Sequence, residues 1–261
     1  MIEVLESGPL TLVQDAGRPG RAALGVGPSG AADARAFALA NRLVGNPAAL
    51  PALELTFGAL RVRCDRPVTA AACGAPCPVS ISGRTASMAS PLYLSAGDVL
   101  EIGAPTRGVR TYVALRGGIL VDPVLGSCAT DVLSGVGPPQ IAAGARLRVG
   151  TPSGRMPGVD HAPVAPIARE PVLRFMPGPR PAWFVDDVLD TLRGHRYQVE
   201  SDSNRVAVRL RGEKLRRAID DELPSEGLIA GGYPVVAVVL SQDLSLAAQL
   251  RPGQRMRFTR V

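Results

Sequence analysis

From Leu53 to Val149 the chain is cut into short apolar runs, LELTF, LRVRC, VTAAA, VSIS, LYLS, VLEIG, RTYVAL, GGILV and RLRVG, each stopped by turn residues. Runs this short suit strands better than packed helices. The pattern is clearest where Leu60, Val62 and Cys64 alternate with Arg61, Arg63 and Asp65, the period of two expected of a strand buried on one face. The 29 Gly and 24 Pro supply turns, and they stand against only four Tyr, five Phe and one Trp. Together these features predict a mostly β architecture of closed barrels or sandwiches with a few short helices.

One stretch departs from that rhythm. Leu12 to Pro47 opens as an alternating run, passes through a glycine-rich loop carrying Gln14, Asp15, Arg18 and Arg21, and enters an Ala-rich segment. The spacing predicts a helix starting near Ser29 or Gly30, with Asp33 in its first turn, where an acid suits the positive end of the helix dipole. Phe37, Ala40, Leu43 and Val44 should face a core, and Gly45 and Pro47 should end the helix. Glycines at 17, 20, 25, 27 and 30 let the backbone lie close against a ligand or a partner. Composition alone supports a solvated surface turn equally well.

A partial internal echo sets the expected domains. Ile2 to Pro9 and Leu173 to Pro179 are both alternating runs ending in Gly-Pro, and similar strand entries follow Gly97, Gly144 and Gly253. Duplication is the natural reading, giving one barrel over 1–150 and another over 172–261. The Pro/Gly-rich stretch 151–171 between them should be an extended linker, with His161 in solvent. In the second half, Trp183, Phe184, Val188 and Leu192 sit at helical spacing. Tyr197 to Glu200, Val206 to Arg211, Val235 to Leu240 and Arg255 to Phe258 read as strands, and Leu244 to Leu250 as a short helix.

Several function classes fall away. No stretch reaches the roughly 18 apolar residues of a membrane span, and MIEVLESGPL carries acids where an export signal would carry a basic end, so a cytoplasmic protein with no membrane partner is expected. The formal charge is +6, but 28 of the 29 basic residues are scattered Arg. The densest run, Arg205 to Arg217, lacks the interleaved aromatics that stack on bases, so no nucleic-acid partner is expected. Cys64, Cys73, Cys77 and Cys128 should be reduced thiols. The Cys73/Cys77 pair is two ligands short of a structural zinc site, so no metal site is expected. Phosphate loops, dinucleotide fingerprints, nucleophile elbows and zinc-protease motifs are absent from the sequence.

Polar residues in glycine-rich turns remain: Asp15 and Arg18, Ser29 and Asp33, Arg116-Gly117-Gly118, Asp131, Asn204-Arg205, Ser225-Glu226-Gly227 and Gly231-Gly232-Tyr233. Guanidinium forks grip carboxylate or phosphate, and carboxylates position protons or metal-bound phosphates. Each residue taken singly also suits a turn.

These residues fall within V-Q-D-A-G-R-P-G, S-G-A-A-D, L-A-N-R-L-V-G-N-P and A-L-E-L-T, followed by R-T-Y-V-A-L-R-G-G-I, L-G-S-C-A-T-D, S-D-S-N-R-V-A-V-R-L, P-S-E-G-L and G-G-Y-P-V. In this order, over nearly the whole chain, they resemble the allophanate hydrolase subunit 2 family, which is the C component of 5-oxoprolinase and is biotin-dependent carboxyltransferase-like. The resemblance implies two cyclophilin-like β-barrels. It implies a partner similar to allophanate hydrolase subunit 1, the B component of 5-oxoprolinase, and a TIM-barrel-like A component. Together they open the lactam of 5-oxoproline to glutamate with ATP and Mg2+. For that chemistry Arg18, Arg116 and Arg205 are the candidates for stabilising phosphoryl charge around one shared cleft. Asp15 and Asp33 are candidates for metal or proton handling, their division of labour open. Gln14, Ser29, Gly30, Gly117, Gly118, Asn204, Glu226 and Tyr233 are candidates for holding the amide substrate.

Two alternatives accompany that expectation: the carboxyltransferase component of a urea carboxylase system using biotin, and a non-catalytic regulatory module for a kinase-inhibitor-like partner. Three departures from the family pattern stand out. Cys128 occupies a position usually Arg, and Ala207 one usually Gly. Roughly two dozen residues, enough for two or three strands, are missing between Leu228 and Ile229. Either the second barrel is shortened or a segment is absent from this sequence; the second is favoured because missing strands expose unpaired edges.

Overall fold

The computed structural model describes residues 1–222 and 234–261. The chain is mostly strand with a few short helices, and it divides into two compact units, Met1–Pro19 with Pro28–Pro166 and Gly20–Gly27 with Ile167–Val261.

In the first unit the elements run β1 (Ile2–Glu6), β2 (Leu10–Gln14), α1 (Ala34–Leu43), β3 (Ala52–Thr56), β4 (Leu60–Cys64), β5 (Val68–Gly74), β6 (Val79–Ile81), β7 (Arg84–Ala86), β8 (Leu92–Leu94), β9 (Val99–Ile102), β10 (Arg110–Leu115), β11 (Ile119–Leu120) and β12 (Arg146–Val149). They form a seven-stranded sheet in the order β11-β12-β1-β4-β9-β6-β7 and a five-stranded sheet in the order β2-β3-β10-β5-β8. One apolar cluster takes side chains from both sheets, including Ile2, Val62, Leu100 and Ile102 from the first and Leu53, Leu55, Ala72 and Val113 from the second. This shared core makes the unit barrel-like.

The five-stranded sheet is also buried on its other face, so its central strands do not show the alternation of a half-exposed strand. Along β10, Val113 and Leu115 point into the barrel, while Tyr112 and Ala114 point to α1. Ala52, Ala71 and Ala114 are small enough for Phe37, Ala40 and Leu43 of α1 to reach the sheet. Burying side chains such as Phe37 and Leu43 stabilises the layer by about 2 kcal/mol each. The helix begins later than its composition suggests. Ser29 and Gly30 have φ of +54° and +82°, outside the helical region, and Asp33 is the N-cap, its carboxylate accepting from Ala36 N at 3.0 Å.

The stretch 151–166 packs onto the first unit instead of hanging free. Ala162 is buried against the α1 layer, and its N–H donates to Ala89 O at 2.8 Å. His161 is exposed, as expected.

The second unit contains β13 (Val172–Pro177), α2 (Val188–Gly194), β14 (Arg196–Val199), β15 (Leu210–Arg211), β16 (Ala237–Val239), α3 (Leu244–Ala247) and β17 (Arg255–Arg260). Its described strands form one open sheet, a half-barrel, in the order β15-β14-β17-β13-β16. Leu173, Phe175, Tyr197, Val199 and Met256 form its core with Leu192 of α2 and Leu250. Trp183 lies in a 3-10 turn, Pro181–Trp183, and Phe184 is extended, so the expected single helix there is split. The first and last strands of each unit pair, β1 with β12 antiparallel and β13 with β17 parallel. The expected break between Leu228 and Ile229 lies outside the described residues.

Candidate functional site

Asp15 and Gly30 organise the glycine-rich loop. The loop neck is closed by two main-chain hydrogen bonds, Arg18 N to Pro28 O at 2.6 Å and Ala31 N to Asp15 O at 3.0 Å. A Cβ on Gly17 would lie 2.3 Å from Pro28 O, and one on Gly30 2.8 Å from Gly17 N, so this crossing requires glycine on both strands. Asp15 then ties the neck to a second loop: Oδ1 accepts from Gly17 N at 2.7 Å and Ser127 Oγ at 2.6 Å, and Oδ2 accepts from Cys128 N at 2.6 Å.

Arg18 is buried to 2% exposure. Its Nε donates to Val124 O at 3.2 Å and its Nη1 to Ser29 Oγ at 2.7 Å; its Nη2 donates to Ser127 O at 3.4 Å and to Ala129 O. Ser29 Oγ donates onward to Asp131 Oδ2 at 2.7 Å. Burial alone would raise the Asp131 carboxyl, but hydrogen bonds from Ser29 and from the N–H groups of Ser134 and Leu133 outweigh it and hold the group below the usual carboxylate range. Arg18 is therefore a clamp that converges three carbonyls. Its expected role on a phosphoryl group is not what this geometry supports, because its donors already face protein.

The carboxylates need the same correction. Asp15 holds the two loops together and Asp33 caps α1, so neither is free to gather a metal ion, and no acid, cysteine or histidine cluster among the described residues could hold one. Burial pushes the Cys73 thiol up to about 12, which leaves it a poor ligand. Gln14 is fully buried; its Nε2 donates to Thr130 O at 2.8 Å and its Oε1 has no partner among the described residues. It supports the second loop from below. The Cys128 side chain turns to Val121 O at 3.5 Å, so its main-chain N–H makes the contact to Asp15.

Under the start of α1 lies a group that the glycine motifs did not flag. Glu54 is 1% exposed, accepts from Ala32 N at 3.0 Å and from Tyr112 Oη at 2.8 Å, and lies 3.8 Å from Arg110 Nε. Tyr112 Oη accepts from Asp33 N at 2.8 Å. Burial, then the Glu54 charge, push the Tyr112 hydroxyl well above its ordinary pKa, so it stays a donor. The signal in the sequence was a lone acid between Leu53 and Leu55.

Arg116 lies apart from these loops. Its Nη1 donates to Val44 O at 2.8 Å and its Nη2 to Gly154 O at 2.5 Å, and it lines a cleft with Arg66, Thr69, Tyr93 and Thr151 that Arg18 does not reach. Gly117 and Gly118 make a turn packed against Gly150 O and Leu50, with Gly117 N donating to Asn46 Oδ1 at 2.9 Å, so they face protein. In the second unit, Asn204 Oδ1 accepts from Val206 N and Ala207 N at 2.8 and 3.0 Å, a turn in which Arg205 is half-buried. Glu226 and Tyr233 lie outside the described residues. The structure thus joins Asp15, Arg18, Ser29, Gly30 and Asp131, sets Asp33 on the helix behind them, and leaves Arg116 in its own cleft. Ser90 Oγ lies 3.0 Å from His161 Nδ1, where it fastens the 151–166 stretch. Among the described residues no helix is long and apolar enough to cross a membrane.

Comparison with known proteins places this arrangement. The chain is 33% identical to the C component of 5-oxoprolinase from Escherichia coli (strain K12), over 99% of this chain and 90% of that protein. The alignment runs over 282 positions, more than the 261 residues of this chain. The chain is 30% identical to a urea amidolyase of Lachancea kluyveri over 99% of its own length, which is 17% of that larger protein. The crystal structure of TTHA0988 superposes with a TM-score of 0.84 at 30% identity over 99% of both chains. The K. lactis urea amidolyase superposes with a TM-score of 0.89 at 26% identity, over 100% of this chain and 18% of that one. Residues 24–231 and 223–260 match the carboxyltransferase domain, subdomain A and B, and the chain belongs to that family.

Proposed function

We propose that this chain is one component of an ATP-dependent 5-oxoprolinase, opening the lactam of 5-oxoproline to glutamate together with partners of the B and A kinds. The observation that carries this reading is the end-to-end similarity to the C component of 5-oxoprolinase, 99% of one chain against 90% of the other. The site geometry supports dependence on partners. Asp15, Arg18 and Asp33 are engaged with their own chain, so the loop cluster is a fixed scaffold to which other proteins would add reactive groups.

Activating an unstrained amide with ATP requires cationic and N–H donors around the phosphoryl charge. The described residues do not fit a Mg2+ site, since both candidate aspartates are engaged in loop ties and a helix cap. ATP and its metal are therefore assigned to the complex, and this chain's own residues contribute no step through them. Reconstitution with both partners should give ATP hydrolysis that depends on 5-oxoproline. A complete complex that leaves 5-oxoproline untouched overturns the reading. Arg18→Ala would not discriminate, because removing the clamp disorders the scaffold whatever the reaction.

The second reading is the carboxyltransferase part of a urea carboxylase system, favoured by the match to urea amidolyase across 99% of the chain. Biotin would come from another protein, because the only lysine, Lys214, lies in Glu-Lys-Leu, unlike a biotinylation site. Transfer from carboxybiotin to urea by the same reconstituted complex would establish it.

A further inference from the structure

Beyond the loop cluster, the first unit holds a cleft of about 550 Å3 beside β5 and the edge strand β8, within the usual size range for small-molecule sites. Its floor is apolar, with Val68, Leu94 and Val149, and Thr69, Ser95 and Thr151 place hydroxyls on its walls. Its charged lining is Arg66 and Arg116, with no carboxylate.

Two cations on one concave surface repel, and neither forms an ion pair with any described residue. Arg116 is fixed by the carbonyls of Val44 and Gly154, and Arg66 by its Nη2 bond to Val149 O at 2.8 Å. Carbonyls orient a guanidinium without neutralising it, and each fork has five N–H donors, so both keep donors for a ligand. The neighbouring acids are committed elsewhere. Asp65 feels the charge of its neighbour Arg66, but its close partner is the N-terminal ammonium at 2.5 Å. Asp98 accepts from Ser82 Oγ at 2.7 Å and Ser95 N at 2.8 Å. Pre-fixed guanidinium groups lose little freedom on binding an anion, which raises the affinity they can deliver.

Tyr93 adds a second requirement. It stands on β8 opposite Thr69, lines the same cleft, and is 69% exposed. An aromatic ring beside an apolar floor offers a flat face to a flat ligand.

We propose that this cleft binds a small organic anion, its carboxylate or phosphate held between Arg66 and Arg116 and its planar body lying against Tyr93. The proposal concerns the first unit alone and does not depend on which reaction the complex performs.

Calorimetric titration of the intact chain with benzoate, phenyl phosphate, inorganic phosphate and the neutral benzamide tests it. At least one ring-bearing anion should bind about tenfold or more tightly than benzamide, and more tightly than inorganic phosphate. The tighter of benzoate and phenyl phosphate identifies the anionic group. Arg66→Met should weaken that binding by about tenfold or more, and Tyr93→Ala by about threefold to tenfold. Arg66 and Tyr93 are exposed, so both variants should melt with the parent protein, which separates lost binding from lost folding. Arg116 is not the residue to change first, because it also secures two carbonyls. Equal affinity for benzoate and benzamide, an unchanged affinity in either variant, or no heat of binding up to about 20 mM ligand overturns the proposal.

Discussion

Arg18 and the Arg66/Arg116 pair are guanidinium groups in connecting segments of the same unit, yet they do opposite things. Around Arg18 three loop carbonyls and a serine hydroxyl converge on one buried fork, and the side chain becomes part of the fold. Arg66 is held by one carbonyl and Arg116 by two, and both line a cleft. The difference lies in the surrounding main chain, since an arginine beside a glycine turn is compatible with either role.

The contrast can be broken by substitution. The largest effect is expected for Arg18→Ala, which strands the carbonyls of Val124, Ser127 and Ala129 and should cost about 3 kcal/mol or more in urea unfolding. An Arg18→Ala chain as stable as the parent would place Arg18 with the open arginines. Gly17→Ala comes next, at about 2 kcal/mol, because its φ is +88° and the new methyl would meet Pro28 O. Tyr112→Phe removes the hydroxyl between Asp33 N and Glu54, and should lower stability by about 1 kcal/mol.

The smallest effect is a pH dependence. The folded Asp131 carboxyl lies below its ordinary value, so its stabilising contribution is complete above the unfolded pKa, roughly 4, and is lost as pH falls through the lower folded value. Hydrogen exchange of the amides of Leu133 and Ser134 should be faster in Asp131→Asn than in the parent at pH 7. The gap should close once acid protonates the parent, and a gap that stays constant would mean the carboxylate charge does not hold that turn.

The strand plan was legible because it rests on local chemistry. Leu60 to Cys64 alternates as a half-buried strand should, and it is one. RTYVAL showed that a strand was present but not that both its faces are covered, since Tyr112 looks polar until Glu54 and α1 surround it and Thr111, on the other face, until its hydroxyl donates to Ala75 O. The helix start was misplaced for a related reason. Ser29, Gly30 and the alanines after them have the composition of a helix entry, but the crossing at Gly17 forces left-handed backbone there. The sequence picked out Asp15, Arg18 and Ser29 as polar residues of one glycine-rich stretch, but the partners of each depended on which loop came near. Arg18 and Asp15 are satisfied by residues 124–131, and no local pattern announces a partner so far along the chain.

The half-barrel of the second unit has a lasting consequence in its strand order. β17, the latest in chain order of its five described strands, occupies the centre, with β14 on one side and β13 on the other. Until Arg255 to Arg260 leave the ribosome, the other described strands of this unit form two separate pairs, β15 with β14 and β13 with β16. Joining of these two pairs must therefore wait until β17 has been translated, which leaves Phe175 and Tyr197 open to chaperones and aggregation in the meantime.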